Sequence, residues 1–237
     1  MSPLDDIAGD GRPFVVDRRQ TPRGELVLRQ AGEHFELIAN GTFLMDTRDG
    51  RSERALVREA VPAGEDVRVL LGGLGAGFSL DEALGLPGVT EVVVVEVEPA
   101  VVEWARTRLR GRLRHGLDDR RVRLVVADLR DALVTLDGQF DAICLDIDNG
   151  PGWLVHPANA DVYADASLDC LGRLLRPGGR RTVWATAADA VFEVRLRRHF
   201  QAVRAIAIPV SRGPDDVVYV ACALRRPSRR LSPSTSP

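Results

Sequence analysis

The 237-residue chain contains no lysine; all 32 of its basic residues are arginine. Without lysine there is no Schiff-base nucleophile, no lysine general base and no Walker A phosphate loop. Cysteine is scarce as well. Cys144, Cys170 and Cys222 are scattered through apolar runs, with no CxxC and no histidine at metal-ligand spacing, so they read as core residues of a reducing compartment and no metal is expected. No run approaches the roughly 20 apolar residues of a membrane span. The start, MSPLDDIAGDGRPF, has no basic segment leading into an apolar one, so no signal peptide and a cytoplasmic location are expected. A formal charge of only -2 gives no reason to expect a general nucleic-acid surface.

What the chain does have is apolar material, 45% of its residues, enough to bury one good-sized core. Residues 1–13 are rich in Gly, Asp and Pro and read as a flexible arm; residues 225–237, RRPSRRLSPSTSP, read as a disordered tail. Between Glu25 and Asp46 the runs ELVLRQ, HFELIA and TFLMD predict three short strands, with turns at Ala31-Gly32 and Asn40-Gly41. SERALVREAV follows as a helix with Ser52 as its cap, and residues 14–60 are assigned to a small front β module.

From Val67 the rhythm changes. VRVLL, EVVVVEV, VRLVVA, DAICLD and RTVWATA are near-continuous β-branched runs, as expected of strands buried on both faces. Helical stretches are predicted between them over 78–84, 100–113, 131–136, 160–175 and 189–200, with Arg176-Pro-Gly-Gly179 as a stop. VRAIAIPV and DVVYVACAL end the pattern as an antiparallel pair. The fold class is therefore α/β and doubly wound, a Rossmann-like S-adenosylmethionine methyltransferase fold over 61–224 behind the β module.

Gly72-Gly-Leu-Gly-Ala-Gly77 follows the first strand of this unit and precedes a helix, for which Ser79 and Glu82 form a candidate capping box. Glycines Gly72, Gly73, Gly75 and Gly77 suit a backbone that a ligand must approach closely. Glu96 lies 21 residues after Gly75, at the end of the second strand, where a carboxylate can accept both ribose hydroxyls or simply stand exposed. Asp128, followed by Leu129, ends the third strand and can meet an adenine amino group, cap the next helix, or do both. A dinucleotide dehydrogenase shares the glycine count, but no catalytic set for hydride transfer accompanies it; a nucleoside without phosphates fits better. Asp146 ends the fourth strand, and Asp148 lies two residues on, beside Asn149-Gly150; they are catalytic candidates or residues that merely brace a loop. Trp153 stands where it can cover a ligand, Trp184 reads as core, and His115 and His199 read as solvent-facing. His156, near that loop, is the one histidine worth testing as a base.

Over residues 24–222 the sequence resembles the spermidine synthase family. VLLGGLGAG stands at the family's glycine-rich loop, VVVVEVEPAVVEWAR at its ribose-binding strand and helix, and RVRLVVADLRDAL at its adenine-binding segment. FDAICLDIDNGPGWL resembles its catalytic strand and loop, and ANADVY with LRPGG the helix behind. The resemblance implies Glu96 as a ribose ligand, Asp128 as an adenine ligand, Asp146 as the base and Asp148 as a second amine contact. It also implies a homodimer, and aminopropyl transfer from decarboxylated S-adenosylmethionine to a small-molecule amine. Three departures stand out: Gly75 occupies the place of the aspartate that holds the donor's ammonium, Leu44 that of a glutamine, and Ala55-Leu56 that of a Tyr-His pair. They leave the acceptor open and keep two other readings in play, a methyltransferase using intact S-adenosylmethionine and a non-catalytic nucleoside-binding protein.

Overall fold

Period-two alternation of apolar side chains divides the interior into two layers, one on each face of a central sheet. In the computed structural model, which describes residues 12–210 and 213–224, Val69, Leu71, Val92, Val94, Ala142 and Cys144 face one layer. Their sequence neighbours Leu70, Val93, Val95, Ile143 and Leu145 face the other. The strands that carry them are β5 (Val67–Gly72), β6 (Val89–Glu96), β7 (Val122–Val126), β8 (Phe140–Leu145) and β9 (Leu175–Ala185). With β10 (Phe200–Ile208) and β11 (Asp216–Leu224) they form one seven-stranded sheet in the order β10-β11-β9-β8-β5-β6-β7. β9, β8, β5, β6 and β7 run parallel, and β11 pairs antiparallel with both β9 and β10. The expected parallel core and terminal antiparallel pair are both present. Strand order reverses at β5, whose neighbours β6 and β8 leave a crevice at their carboxyl ends, the position where open α/β sheets bind ligands.

Helices α1 (Arg51–Ala60), α2 (Phe78–Gly85) and α3 (Pro99–Arg106) cover one face. Helices α4 (Leu129–Thr135), α5 (Asp165–Arg173) and α6 (Ala190–His199) cover the other, with a 3₁₀ helix at Pro157–Tyr163. The stretch predicted as one helix over 160–175 is thus two pieces, and the helix expected over 100–113 stops at Arg106. Arg176-Pro-Gly-Gly179 forms the irregular start of β9, where the register against β8 breaks.

Capping also differs from expectation. Helix α1 begins after Gly50, and the Ser52 hydroxyl donates to the adjacent Glu53 carboxylate at 3.0 Å. At α2 the cap is Gly77, whose φ of +88° a side chain would resist. Ser79 turns to the Glu53 carbonyl, and Glu82 pairs with Arg54 and Arg58 on α1 instead of closing a box. Through that pairing α1 belongs to the larger layer: it packs on α2 and on β8, β9 and β11, although its sequence neighbours the front strands.

The front module is a four-stranded antiparallel meander, β1 (Phe14–Thr21), β2 (Gly24–Ala31), β3 (His34–Ala39) and β4 (Thr42–Asp46). β1 was not expected, because FVVDRRQT reads as polar. Besides Val16, which packs on the core, polar contacts anchor it: Trp104 Nε1 donates to Asp17 at 2.9 Å, and Arg19 bonds Glu103 at 2.8 Å. Leu26, Leu28, Phe35 and Leu37 run into the same buried cluster as Val101 and Trp104 of α3, so the module shares the main core. The expected arm lies largely, and the tail wholly, outside the described residues. Among the described residues no helix is long and apolar enough to cross a membrane.

The turn at Asn40-Gly41 has φ of +50° and +79°, the paired positive angles of a tight hairpin. Asn40 does more than turn the chain, since its side chain accepts from Glu25 N at 2.9 Å and donates to Arg23 O at 3.1 Å. Asn40→Ala removes both bonds and leaves a β-carbon in left-handed backbone. It should lower the unfolding free energy by about 1–3 kcal/mol in denaturant titrations.

Candidate active site

The carboxyl ends of β5 and β8 meet closely. Asp146 N donates to Gly72 O at 2.8 Å, and a β-carbon on Gly73 would stand 2.0 Å from Asp146 O. Gly73 has φ of +98°, so both conformation and space demand glycine there. This contact holds the glycine-rich loop beside Asp146, and a cavity of about 1170 Å³ opens above them.

Glu96, Asp128, Leu129, Gly73, Gly75, Asp146 and Asp148 all line that cavity, so the sequence-selected residues converge. Gly72 lies just beneath, where a side chain would press on Leu145 and Leu129, and Gly77 caps α2. Glu96 is only 7% exposed. One of its carboxylate oxygens accepts from Leu74 N at 2.9 Å and the other from Glu98 N at 2.8 Å. Each oxygen keeps a lone pair for a ribose hydroxyl. Burial pushes its pKa up, against those two backbone bonds.

Asp128 caps α4 by accepting from Arg130 N at 2.9 Å. The Arg130 guanidinium binds both carboxylate oxygens and holds the pKa below the ordinary value. Arg23, at the β1–β2 turn, reaches across: it donates to Asn159 at 2.6 Å and lies 3.6 Å from both Glu98 and Asp128. The front module thus supplies one wall of the cavity beside Glu96 and Asp128. Nothing in the sequence pattern marked Arg23 for this.

Asp148, expected as an amine contact, has another task. Its oxygens accept from Asn149 N, Val155 N, His156 N and the Asn159 amide, all at 2.8–2.9 Å. Four donors use up the acceptor sites of a carboxylate, so Asp148 shapes the loop over the cavity. His156 lines the cavity with a buried Nδ1 that has no hydrogen-bond partner among the described residues. Trp153 stands at the cavity rim, 56% exposed. Trp184 is core as expected, although its ring also reaches the cavity wall. His199, expected in solvent, is clasped instead between Asp165 and Asp169 at 3.0 and 2.7 Å, because the end of α6 packs on α5. Cys144 is buried beneath the site, which pushes its thiol up to about 12 and leaves it no nucleophilic role.

Asp146 is different again. Its carboxylate makes no hydrogen bond or ion pair among the described residues. Burial first, then the nearby carboxylates of Glu53, Asp216 and Glu96, push its pKa well above the usual range. Glu53 and Asp216 also line the cavity, and sequence inspection found neither. Glu53 is pushed up to about 7, chiefly by burial and further by Asp216 and Asp49. Asp216 is raised by burial, with the Ser52 hydroxyl and the Trp184 indole pulling the other way. No spacing rule links a helix residue at 53 to a strand residue at 216. Only the packing of α1 against β11 does so.

Such a cavity can bind a nucleoside at one end and place cations against unneutralised carboxylates at the other. Among the described residues no group of His, Cys, Asp or Glu is arranged to hold a metal ion.

Residues 56–192 match the spermine/spermidine synthase domain. The chain belongs to that family. It is 34% identical over 176 residues to a polyamine aminopropyltransferase of Mycobacterium tuberculosis, covering 72% of this chain and 32% of that protein. The chain therefore spans about a third of the length of that relative. It is 31% identical over 126 residues to putrescine N-methyltransferase 1 of Nicotiana tabacum, covering 53% of this chain and 31% of that one. In three dimensions it resembles a spermidine synthase solved with the transition-state analogue AdoDATO, with a TM-score of 0.76 and 18% identity over 87% of this chain and 73% of that one. The α/β fold is that of spermidine synthases.

The raised Glu53 makes stability depend on pH. Its folded value of about 7 lies above the ordinary 4.5, so between these pH values the folded state binds the extra proton. Ligand-free protein should therefore lose stability as pH rises from about 4.5 to about 7. The fall in melting temperature across this range should be shallower in Glu53→Gln, which lacks that one titrating carboxyl; an unchanged slope would mean that Glu53 titrates normally.

Proposed function

We propose that this member of the spermidine synthase family transfers an aminopropyl group from decarboxylated S-adenosylmethionine to an amine. The observation that carries the reading is an Asp146 carboxylate, unpartnered among the described residues, between the Glu96–Asp128 end and the acidic end of one cavity. Glu96 would accept the ribose hydroxyls, Asp128 the adenine amino group, and the Gly72–Gly77 backbone with Leu129 would pack against the nucleoside.

The acceptor enters as an ammonium and must lose a proton to Asp146 before its lone pair can attack the carbon next to the sulfonium. A nitrogen–carbon bond forms, the carbon–sulfur bond breaks, and its electron pair goes to sulfur. Methylthioadenosine leaves neutral and needs no acid. The raised Asp146 suits this sequence, because two substrate cations lower its pKa and make the base ionise once they are bound. Held ammonium and sulfonium groups also gain from proximity.

A second reading rests on Gly75 and on the likeness to a putrescine N-methyltransferase. An aspartate at that place would repel the carboxylate of intact S-adenosylmethionine, and glycine does not. Methyl transfer to an amine would use the same nucleoside end and the same base. The inherited expectation of a homodimer through the front module is part of the proposal. Val15 on β1 and Phe43 on β4, each 49% exposed, are what such a contact would cover.

Incubation with each donor and a mixture of amines separates the readings by product. Methylthioadenosine release supports aminopropyl transfer, adenosylhomocysteine release supports methyl transfer, and neither, despite tight nucleoside binding, supports a non-catalytic protein. Asp146→Asn should lower turnover by about two or more orders of magnitude while methylthioadenosine affinity, read by calorimetry, stays nearly unchanged. Glu96→Gln should weaken that affinity by about 1–3 kcal/mol; unchanged binding would remove Glu96 from the nucleoside site.

A further inference from the structure

Among the described residues the Asp146 carboxylate has no partner to aim it, so the backbone around it sets its direction. Three successive backbone groups are fixed there. The Asp146 amide donates to Gly72 O at 2.8 Å. The Asp146 carbonyl abuts Gly73, where a β-carbon would stand 2.0 Å away. Next comes the Ile147 carbonyl, which accepts the hydroxyl of Tyr163 at 2.7 Å. Gly150 N reaches the same oxygen at 3.3 Å and closes a tight turn over 147–150.

Tyr163 ends the 3₁₀ helix, is 1% exposed, and lies outside the cavity wall. Its ring meets Phe192 of α6 edge-on, with centroids 5.6 Å apart, and Phe192 meets Tyr219 of β11 in the same way at 5.3 Å. Arg195 of α6 donates to the Tyr163 carbonyl at 3.1 Å. Ring and backbone are therefore both held by α6, and close packing leaves the hydroxyl one direction to point. Burial pushes its pKa up, so it stays a protonated donor.

The turn beneath that bond is strained. Asp148, its second residue, has φ of +59°, which suits glycine and costs a residue with a β-carbon. Rotating the Ile147–Asp148 peptide would relieve the strain, and would carry the Ile147 carbonyl away from Tyr163. A left-handed φ costs about as much as one good hydrogen bond contributes, so loss of the hydroxyl is enough to shift the balance. The peptide lies between Asp146 and the Asp148 carboxylate, on which Val155, His156 and Asn159 converge. One rotation would turn Asp146 and loosen the loop over the cavity together.

We propose that Tyr163 is a positioning residue for Asp146: from outside the cavity its hydroxyl holds the Ile147 peptide in a strained turn and so aims the Asp146 carboxylate at the reacting nitrogen. This rests on the amine-transfer reading for what Asp146 does, and on geometry alone for how Asp146 is held.

Tyr163→Phe keeps the ring and its contact with Phe192 and removes only the hydroxyl. Thr182→Val is the control, because it deletes another buried hydroxyl-to-carbonyl bond, to Leu56 O at 2.9 Å, away from the cavity wall. With decarboxylated S-adenosylmethionine and whichever amine releases methylthioadenosine, Tyr163→Phe should lower kcat about 10- to 100-fold, as a displaced catalytic group does. KM and the methylthioadenosine Kd should change less than about threefold. Thr182→Val should lose comparable thermal stability and keep kcat within about twofold. Two further readouts need no turnover. Amide exchange over residues 147–156 should quicken about tenfold or more in Tyr163→Phe and not in Thr182→Val. The Asp146 carboxyl, assigned in isotope-edited NMR spectra by its loss in Asp146→Asn, should titrate nearer the ordinary carboxylate range once it leaves its buried position. An unchanged kcat in Tyr163→Phe, or an equal loss in Thr182→Val, would overturn the positioning role. If wild type turns over no amine, the transfer reading fails, and exchange and titration still decide whether Tyr163 holds Asp146 in place.

Discussion

The ends of β5 and β8 are held at backbone contact, and the arrangement of the site depends on it. Gly73 touches the Asp146 carbonyl with no room for a β-carbon, while the Asp146 amide is tied to Gly72. The contact fixes how far the Asp146 carboxylate stands from the glycine-rich loop. It also fixes the direction in which the loop leaves the sheet, and Glu96 then secures that direction by accepting the amide of Leu74. Widening the contact by a methyl group would disturb both halves of the cavity together. This is why four positive-φ or close-packed glycines cluster within six residues.

Charge is distributed on a second principle. Across the surface, arginine and carboxylate meet in pairs that are exposed and individually worth little. Among the described residues Asp146, Glu53 and Asp216 take part in no ion pair, and burial and mutual repulsion keep them protonated more readily than ordinary carboxylates. Carboxylates in that state are costly to ionise without a cation beside them. The end of the cavity at Glu96 and Asp128 is built the other way. Asp128 is locked by Arg130 and Glu96 by backbone amides, which gives a fixed shape that no ligand has to organise.

The parallel strands, the glycine loop, Glu96, Asp128 and Asp146 were legible because each depends on a local pattern: β-branched runs, glycine at a strand-to-helix turn, and an acid at a strand end. β1 was not, because its pairing rests on Asp17 and Arg19 reaching α3, contacts a window of charged residues does not disclose. The Ser79–Glu82 pair has capping spacing, yet α1 offered Glu82 two arginines and the cap went to a glycine. Asp148 looked catalytic by its nearness to Asp146. Its left-handed backbone turns the carboxylate back onto its own loop. Glu53 and Asp216 lie 163 positions apart and carry no motif, so only the packed fold brings them to one wall.

Arg23 gives the front meander a part in how the whole chain melts. Its guanidinium lies against Glu98 after β6, Asp128 before α4 and Asn159 in the 3₁₀ helix, and Asn159 in turn holds the Asp148 loop. One side chain from a hairpin turn therefore ties together three segments of the larger sheet, across a core that the two units already share. The meander cannot peel away without loosening the pocket floor and its lid at once. Loss of either unit should thus appear as a single cooperative transition, and any ligand seated against Arg23 raises the melting point of both.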